Sequence, residues 1–292
     1  MRISTVAGSW YPGDRHTLRA LVDSLLQGAC VPDLQGRIFG LIAPHAGIQF
    51  SGEAAACAYR LLRGSSVERV ILIGPSHYQG FRGLAVSGVK AYETPLGRIT
   101  VDRAGADALS EHALFQGPRA AEIPEHSLEM HLPFLQAAAP DCKLLPLVAG
   151  HLTPEQCAEA ACVIAGLLDS RTVVAASSDF THYGRRFGYM PFYDNVRENL
   201  RSLDTGAIDH ILAKDCNSFL RYSAETGATI CGAIPIALLL NLLPQSCRGS
   251  LLSYYTSGDI LGDYSDTVSY ASIVFMDEQG GCVRSVHAPM NH

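Results

Sequence analysis

Three histidines stand just beyond three apolar runs. The run RIFGLIA (37–43) leads through Pro44 to His45. The run VILI (70–73) leads through Gly74, Pro75 and Ser76 to His77. The run RTVVAAS (171–177) leads through Ser178, Asp179, Phe180 and Thr181 to His182. Imidazoles move protons near neutral pH and, when neutral, bind borderline and soft transition metals. If the three runs are parallel strands of one sheet, all three rings emerge at the same edge. Taken singly, each histidine is equally a hydrogen-bonded turn residue; three at one edge read as a site. Asp179, three residues before His182, either orients an imidazole or acts as an acid, or it closes an Asx turn.

Further candidates lie in Glu125-His126-Ser127-Leu128-Glu129-Met130-His131. This is not the HExxH zinc helix, because no histidine pair stands four apart with glutamate after the first. Glu125 and His126 precede a helix and suit capping positions, and His126 could line a pocket. His131, inside that helix, reads as a satisfied core histidine. Cys231 opens the apolar stretch 230–242, where a helix N-terminus would favour its thiolate. From position alone, a small buried hydrophobe is the simpler reading.

The elements that must position these residues alternate. Helices are expected at 15–27, capped by Asp14, at 51–63, at 153–168 from a Thr153/Gln156 capping box, across 193–220 with a break at 214–217, and at 230–242. Strands are expected at 37–43, 68–73, 83–87, 97–101, 143–148, 171–177, 251–256 and 267–275, with a Tyr-Glu-Thr-Pro turn before 97–101. Strands apolar on both faces and separated by helices imply an α/β fold with a mainly parallel central sheet flanked by helices. No linker divides the chain, so one domain over 1–292 is expected. Ligands of such sheets gather beyond the carboxyl ends of the strands.

The composition narrows the function classes. With 22 basic and 28 acidic residues the net charge is −6, which gives no basic face for nucleic acid. The N-terminus lacks a signal-peptide pattern, and the longest apolar run, 230–240, is too short to span a bilayer and contains Gly232 and Pro235. Nine cysteines, an odd number without a CxxC pair, suit reduced thiols. A soluble, cytoplasmic protein is expected.

Six segments occur in an order that resembles the Memo family: Ala7-Gly8-Ser9-Trp10-Tyr11-Pro12; Ala43-Pro44-His45-Ala46-Gly47 followed by Ser51-Gly52; Gly74-Pro75-Ser76-His77; the 125–134 stretch; Ser177-Ser178-Asp179-Phe180-Thr181-His182-Tyr183-Gly184; and Cys231-Gly232. The resemblance spans about 4–276. It implies a fold similar to class III extradiol dioxygenases, in which a metal is held by two histidines and a carboxylate. Carried over residue by residue, it makes His45, His77 and Cys231 the metal ligands and His182 the acid/base, with Asp179 and His126 lining the pocket. The metal implied is iron or copper, with zinc as a further option. The partners implied are an unknown small substrate and, in bacteria and archaea, an AMMECR1-like protein and a radical-SAM protein. A homodimer through the apolar C-terminal strands is a further expectation.

A thiolate in place of a carboxylate shifts the donor set towards soft metals and adds an oxidisable ligand. Ring cleavage therefore does not follow from the fold. Three functions stay open at this stage: metal-linked redox or oxygenase-like chemistry, a zinc-dependent hydrolase, and a non-catalytic peptide- or partner-binding protein.

Overall fold

Alternation of apolar side chains builds the centre of the molecule. In the computed structural model, which describes residues 1–32 and 36–277, the strands Ile38–Ala43, Thr172–Ser177, Arg69–Pro75 and Lys143–Ala149 lie side by side, all parallel. Successive residues of a strand point to opposite faces. Leu41, Ala43, Val70, Leu72, Val173 and Ala175 therefore enter one core layer. Ile42, Ile71, Ile73, Val174 and Ala176 enter the other.

The helices Arg15–Gly28, Ile48–Arg60 and Leu132–Ala138 cover the first face. Pro154–Ala165, Val196–Leu212, Cys216–Thr226 and Ala233–Leu242 cover the second. Antiparallel strands flank the parallel core. Asp266–Asp277 pairs with Ile38–Ala43 on one side and Cys247–Thr256 on the other, while Leu84–Val86 closes the opposite edge. This is the α/β arrangement expected from the sequence. Asp14 caps its helix by accepting from Thr17 N at 2.9 Å, and the Thr153/Gln156 capping box is complete.

Two local expectations change. The segment read as a Tyr-Glu-Thr-Pro turn is largely a strand, Ala91–Thr94, which hairpins back to Gly97–Thr100 and pairs with Arg2–Ile3. Tyr92 and Thr94 are buried on one side, so the alternating pattern outweighed the turn residues. The apolar helix begins at Ala233, with Gly232 as its cap, so Cys231 lies before the helix rather than in its first turn.

The N-terminal segment is held by one buried carboxylate. Glu129 accepts from Thr5 N at 2.8 Å, Val6 N at 3.0 Å and Tyr11 Oη at 2.7 Å, and pairs with Arg2 Nη1 at 2.8 Å. Arg2 also donates to the carbonyls of Glu122 and Glu125, both at 2.7 Å. Trp10, next to Tyr11, is thereby brought against the His126 ring, 4.4 Å between centroids. No helix among the described residues is long and apolar enough to cross a membrane. The eight cysteines of the described residues are free thiols, and Cys282 lies outside that range.

Candidate metal centre

The three strand exits converge as the parallel sheet requires. At the end of Arg69–Pro75, Gly74 lets the short helix His126–Glu129 approach; a Cβ there would stand 2.4 Å from Ser127 Oγ. Ser127 Oγ donates to Pro75 O at 2.9 Å. This contact sets Glu125, the cap of that helix, beside His77. Glu125 accepts from His77 N at 2.7 Å and from Ser127 N at 3.0 Å, and its Oε1 lies 2.9 Å from His77 Nδ1. An ionised carboxylate only accepts, so His77 Nδ1 carries the hydrogen and Nε2 is left for a ligand. Burial alone would raise the Glu125 pKa, but the His77 ring and the two amides outweigh it and hold it low.

His45 follows strand Ile38–Ala43 and is fully buried. Its amide donates to Asp179 Oδ1 at 2.8 Å, and its Nδ1 lies 2.6 Å from Ser177 Oγ. Its ring centroid is 5.1 Å from that of His77 and 5.5 Å from that of His126. One donor atom from each of His45, His77 and His126 lies within 4.8 Å of the others. Burial, with the neighbouring His77, pushes the His45 pKa well below its usual range and the His126 pKa down to about 4. Both rings are neutral at pH 7, the form that binds metals.

Cys231 stands beside this trio. Its Sγ is 3.2 Å from His45 Nε2 and accepts from Asp179 N at 3.3 Å. Two bonds of about 2.1 and 2.3 Å can span a separation up to about 4.4 Å, so one ion can hold both atoms. Gly232 makes the approach possible: a Cβ there would fall 2.3 Å from Ser178 Cβ. The thiolate expected at a helix N-terminus is not favoured in the metal-free protein. Burial, reinforced by Asp179, pushes the Cys231 pKa well up.

His182 opens the short strand His182–Gly184, which pairs with the start of Asp266–Asp277. Its Nδ1 lies 3.0 Å from Phe180 O and 3.1 Å from Thr229 O. Carbonyls only accept, so Nδ1 is protonated and Nε2 is free. Asp179 holds the His45 turn through its amide contact, and burial raises its carboxyl pKa. A cavity of about 520 Å³ joins these parts. His45, His77, His126, Asp179 and His182 line it, with Trp10, Phe50, Phe187 and Tyr270 among the aromatic walls. Cys231 faces a smaller cavity of about 270 Å³, together with His151.

Sequence reasoning missed several contributors. His151 follows the fourth parallel strand, Lys143–Ala149, and repeats the same strand-end pattern. Glu125 read as a cap, which it is, but its second oxygen's role on His77 had no local signal. His131 is the satisfied core histidine expected, with Tyr59 Oη and Ser177 Oγ each 2.8 Å from its ring nitrogens. Exchanging Glu125 for glutamine puts an NH₂ where a donor already points. Glu125→Gln is expected to weaken metal binding about 10–100-fold. Competition with a chromophoric chelator measures this, and unchanged affinity would reduce Glu125 to a helix cap.

A family model described as Memo-like protein matches residues 2–274. The chain belongs to the Memo family. The MEMO1 family protein of Nitrosopumilus maritimus (strain SCM1) is 32% identical over 287 residues, covering 94% of this chain and 100% of its own length. Protein MEMO1 of Xenopus laevis is 32% identical over 287 residues, covering 93% and 96%. Among solved structures, an uncharacterized protein from Escherichia coli K12 superposes with a TM-score of 0.54 at 15% identity, over 82% of this chain and 99% of that one. At that identity the likeness is one of fold. The Memo match runs from the Glu129-held N-terminal segment into the closing strand, so every residue of the candidate centre falls inside it.

Proposed function

We propose that this Memo-family chain holds one redox-active transition-metal ion, iron or copper, at the strand-end histidines. The centre would serve proton-coupled redox or oxygenase-like chemistry on a small molecule in the adjoining cavity. The observations that carry this reading are the donor atoms of His45 and His77 meeting within 4.8 Å at that cavity, with His126 in the same group, and the Cys231 sulfur 3.2 Å from His45 Nε2. His45 and His77 are its first two ligands. Cys231, already against His45 Nε2, is the third, and His126 lines the pocket beside them. Neutral imidazoles joined by sulfur form a soft set that suits copper, iron or zinc and disfavours magnesium and calcium. The bound ion would supply electron transfer and polarisation of a substrate atom.

The chain's own groups do the rest. Cys231, whose thiol burial keeps protonated, would serve as a thiolate ligand once a bound cation offset that burial, releasing its proton. His182, fixed through Nδ1 by two carbonyls, offers Nε2 as the acid/base. Asp179 holds the His45 turn in place. Trp10, Phe50 and Phe187 give the cavity aromatic walls beside the histidines.

A zinc-dependent hydrolase is the second reading, carried by the same donor set: two histidines and a cysteine with a position left open form a known catalytic zinc arrangement. Anaerobic purification followed by elemental analysis and anomalous scattering at the iron, copper and zinc edges separates the two. About one iron or copper per chain, with density between His45 and His77, is expected for a mononuclear centre. Stoichiometric zinc without redox metal would favour the hydrolase.

A further inference from the structure

We propose that Ser177 and His131 are positioning residues that lock His45 in a single tautomer, so that the nitrogen of His45 offered to a ligand is decided from behind the site. The value of the lock to the protein rests on the metal-centre reading above; the lock itself is a property of the metal-free chain.

Ser177, the last residue of strand Thr172–Ser177, is fully buried. Its hydroxyl meets three partners: His45 Nδ1 at 2.6 Å, His131 Nε2 at 2.8 Å and the Ser127 carbonyl oxygen at 2.7 Å. A hydroxyl has one hydrogen to donate and two lone pairs to accept with, whereas a carbonyl oxygen only accepts. The one hydrogen of Ser177 therefore goes to Ser127 O. Both rings must then donate to Ser177.

The rest of the chain follows from that step. His45 carries its hydrogen on Nδ1, and its Nε2 lone pair faces Cys231 Sγ at 3.2 Å, whose S–H has that lone pair and Asp179 O, 3.6 Å away, as acceptors. His131 carries its hydrogen on Nε2, so its Nδ1 accepts from Tyr59 Oη at 2.8 Å. Each hydrogen from Tyr59 to His45 Nδ1 has one place. The far end is closed, because Tyr59 is fully buried and its hydroxyl has no second partner among the described residues. A chain closed at one end cannot pass a proton through from end to end. It acts as a lock on ring orientation, not as a relay.

Free neutral imidazole populates both tautomers, so a ligand histidine without a fixed Nδ1 partner spends part of its time with a hydrogen on the donor nitrogen. Removing the partner of a metal-ligating histidine weakens metal binding about 10–100-fold. Ser177→Ala is expected to show a loss of that size. His131→Gln is expected to bind within about threefold of wild type, because its amide can donate to Ser177 and accept from Tyr59; His131→Leu, which can do neither, is expected to lose more.

Nitrogen-15 NMR of metal-free protein with labelled histidine reads the lock directly, since protonated and bare ring nitrogens resonate far apart. Wild type should show His45 protonated at Nδ1 alone and His131 at Nε2 alone. Ser177→Ala should show a tautomer mixture at His45 with the His182 signals unmoved. A wild-type His45 protonated at Nε2, or mixed, would overturn the proposal whatever the metal data, and this spectrum decides the matter even if Ser177→Ala does not fold. A locked His45 in a wild-type protein that takes up no metal would leave the lock standing and remove the metal-centre reading.

Discussion

His45→Ala is expected to lose metal binding by more than about 100-fold, because the loss of a direct ligand exceeds the 10–100-fold effect of its outer partners. The ring is fully buried, meets the stacked His77 and His126 rings edge-on, and touches the Cys231 sulfur. His131, the next ring behind it, is tied to Ser177 and Tyr59 and is not free to take its place. Cys231→Ser should also lose copper and iron strongly, since a hydroxyl is a harder and weaker donor than a thiolate. His126→Ala should cost less than about tenfold, as expected for a lining residue outside the direct ligands. Anaerobic reconstitution with iron(II) and copper(I), followed by elemental analysis and chelator competition, tests all three variants. If His126→Ala emptied the centre while Cys231→Ser kept its metal, the third ligand would be His126.

Glu129→Ala is expected to destabilise the fold by about 3–5 kcal/mol, the range for breaking a buried ion pair from one side. Arg2 would be left buried with carbonyls but no counter-charge, and the amides of Thr5 and Val6 and the Tyr11 hydroxyl would lose their acceptor. Chemical denaturation reads the change. The same carboxylate sets part of the acid sensitivity. Burial alone would raise its pKa, but the Thr5 amide, Arg2, the Val6 amide and Tyr11 together hold it below the ordinary glutamate value. A carboxylate depressed in the folded state contributes stability that is fully present above its unfolded pKa and is lost as pH falls through the folded one. Glu129→Gln should therefore be less stable than wild type at neutral pH and should lose less on acidification. Parallel acid limbs for the two proteins would remove Glu129 from that account.

Strand-end histidines were legible because apolar runs show where strands stop, with a Pro or Gly exit before His45 and His77 and a Ser-Asp exit before His182. Helices between the strands imply parallel pairing, and that places all three at one edge. The centre behind that edge was not legible. Glu125 meets His77 from 48 positions away and Ser177 meets His45 from 132 away, so neither pairing leaves a local signature. A helix end alone would favour the Cys231 thiolate, but the helix begins only at Ala233 and burial pushes the Cys231 pKa well up, in line with the buried-hydrophobe reading made from position. The buried strand at Ala91–Thr94 was missed because Tyr92 and Thr94 fit a turn and a half-buried pleat equally well.

The position of Asp266–Asp277 in the sheet has a consequence for how the protein is made. This late segment fills an interior place between Ile38–Ala43 and Cys247–Thr256, and its first residues pair with His182–Gly184. A ribosome delivers the chain from the N-terminus, so the four parallel strands can associate while this segment is still being synthesised. Until it emerges, His182 has no strand partner and the cavity lacks the wall formed by Val268 and Tyr270. The wall of the candidate site is therefore completed only after this strand is translated, and on the proposed reading the enclosed form of the centre would be a property of the finished polypeptide.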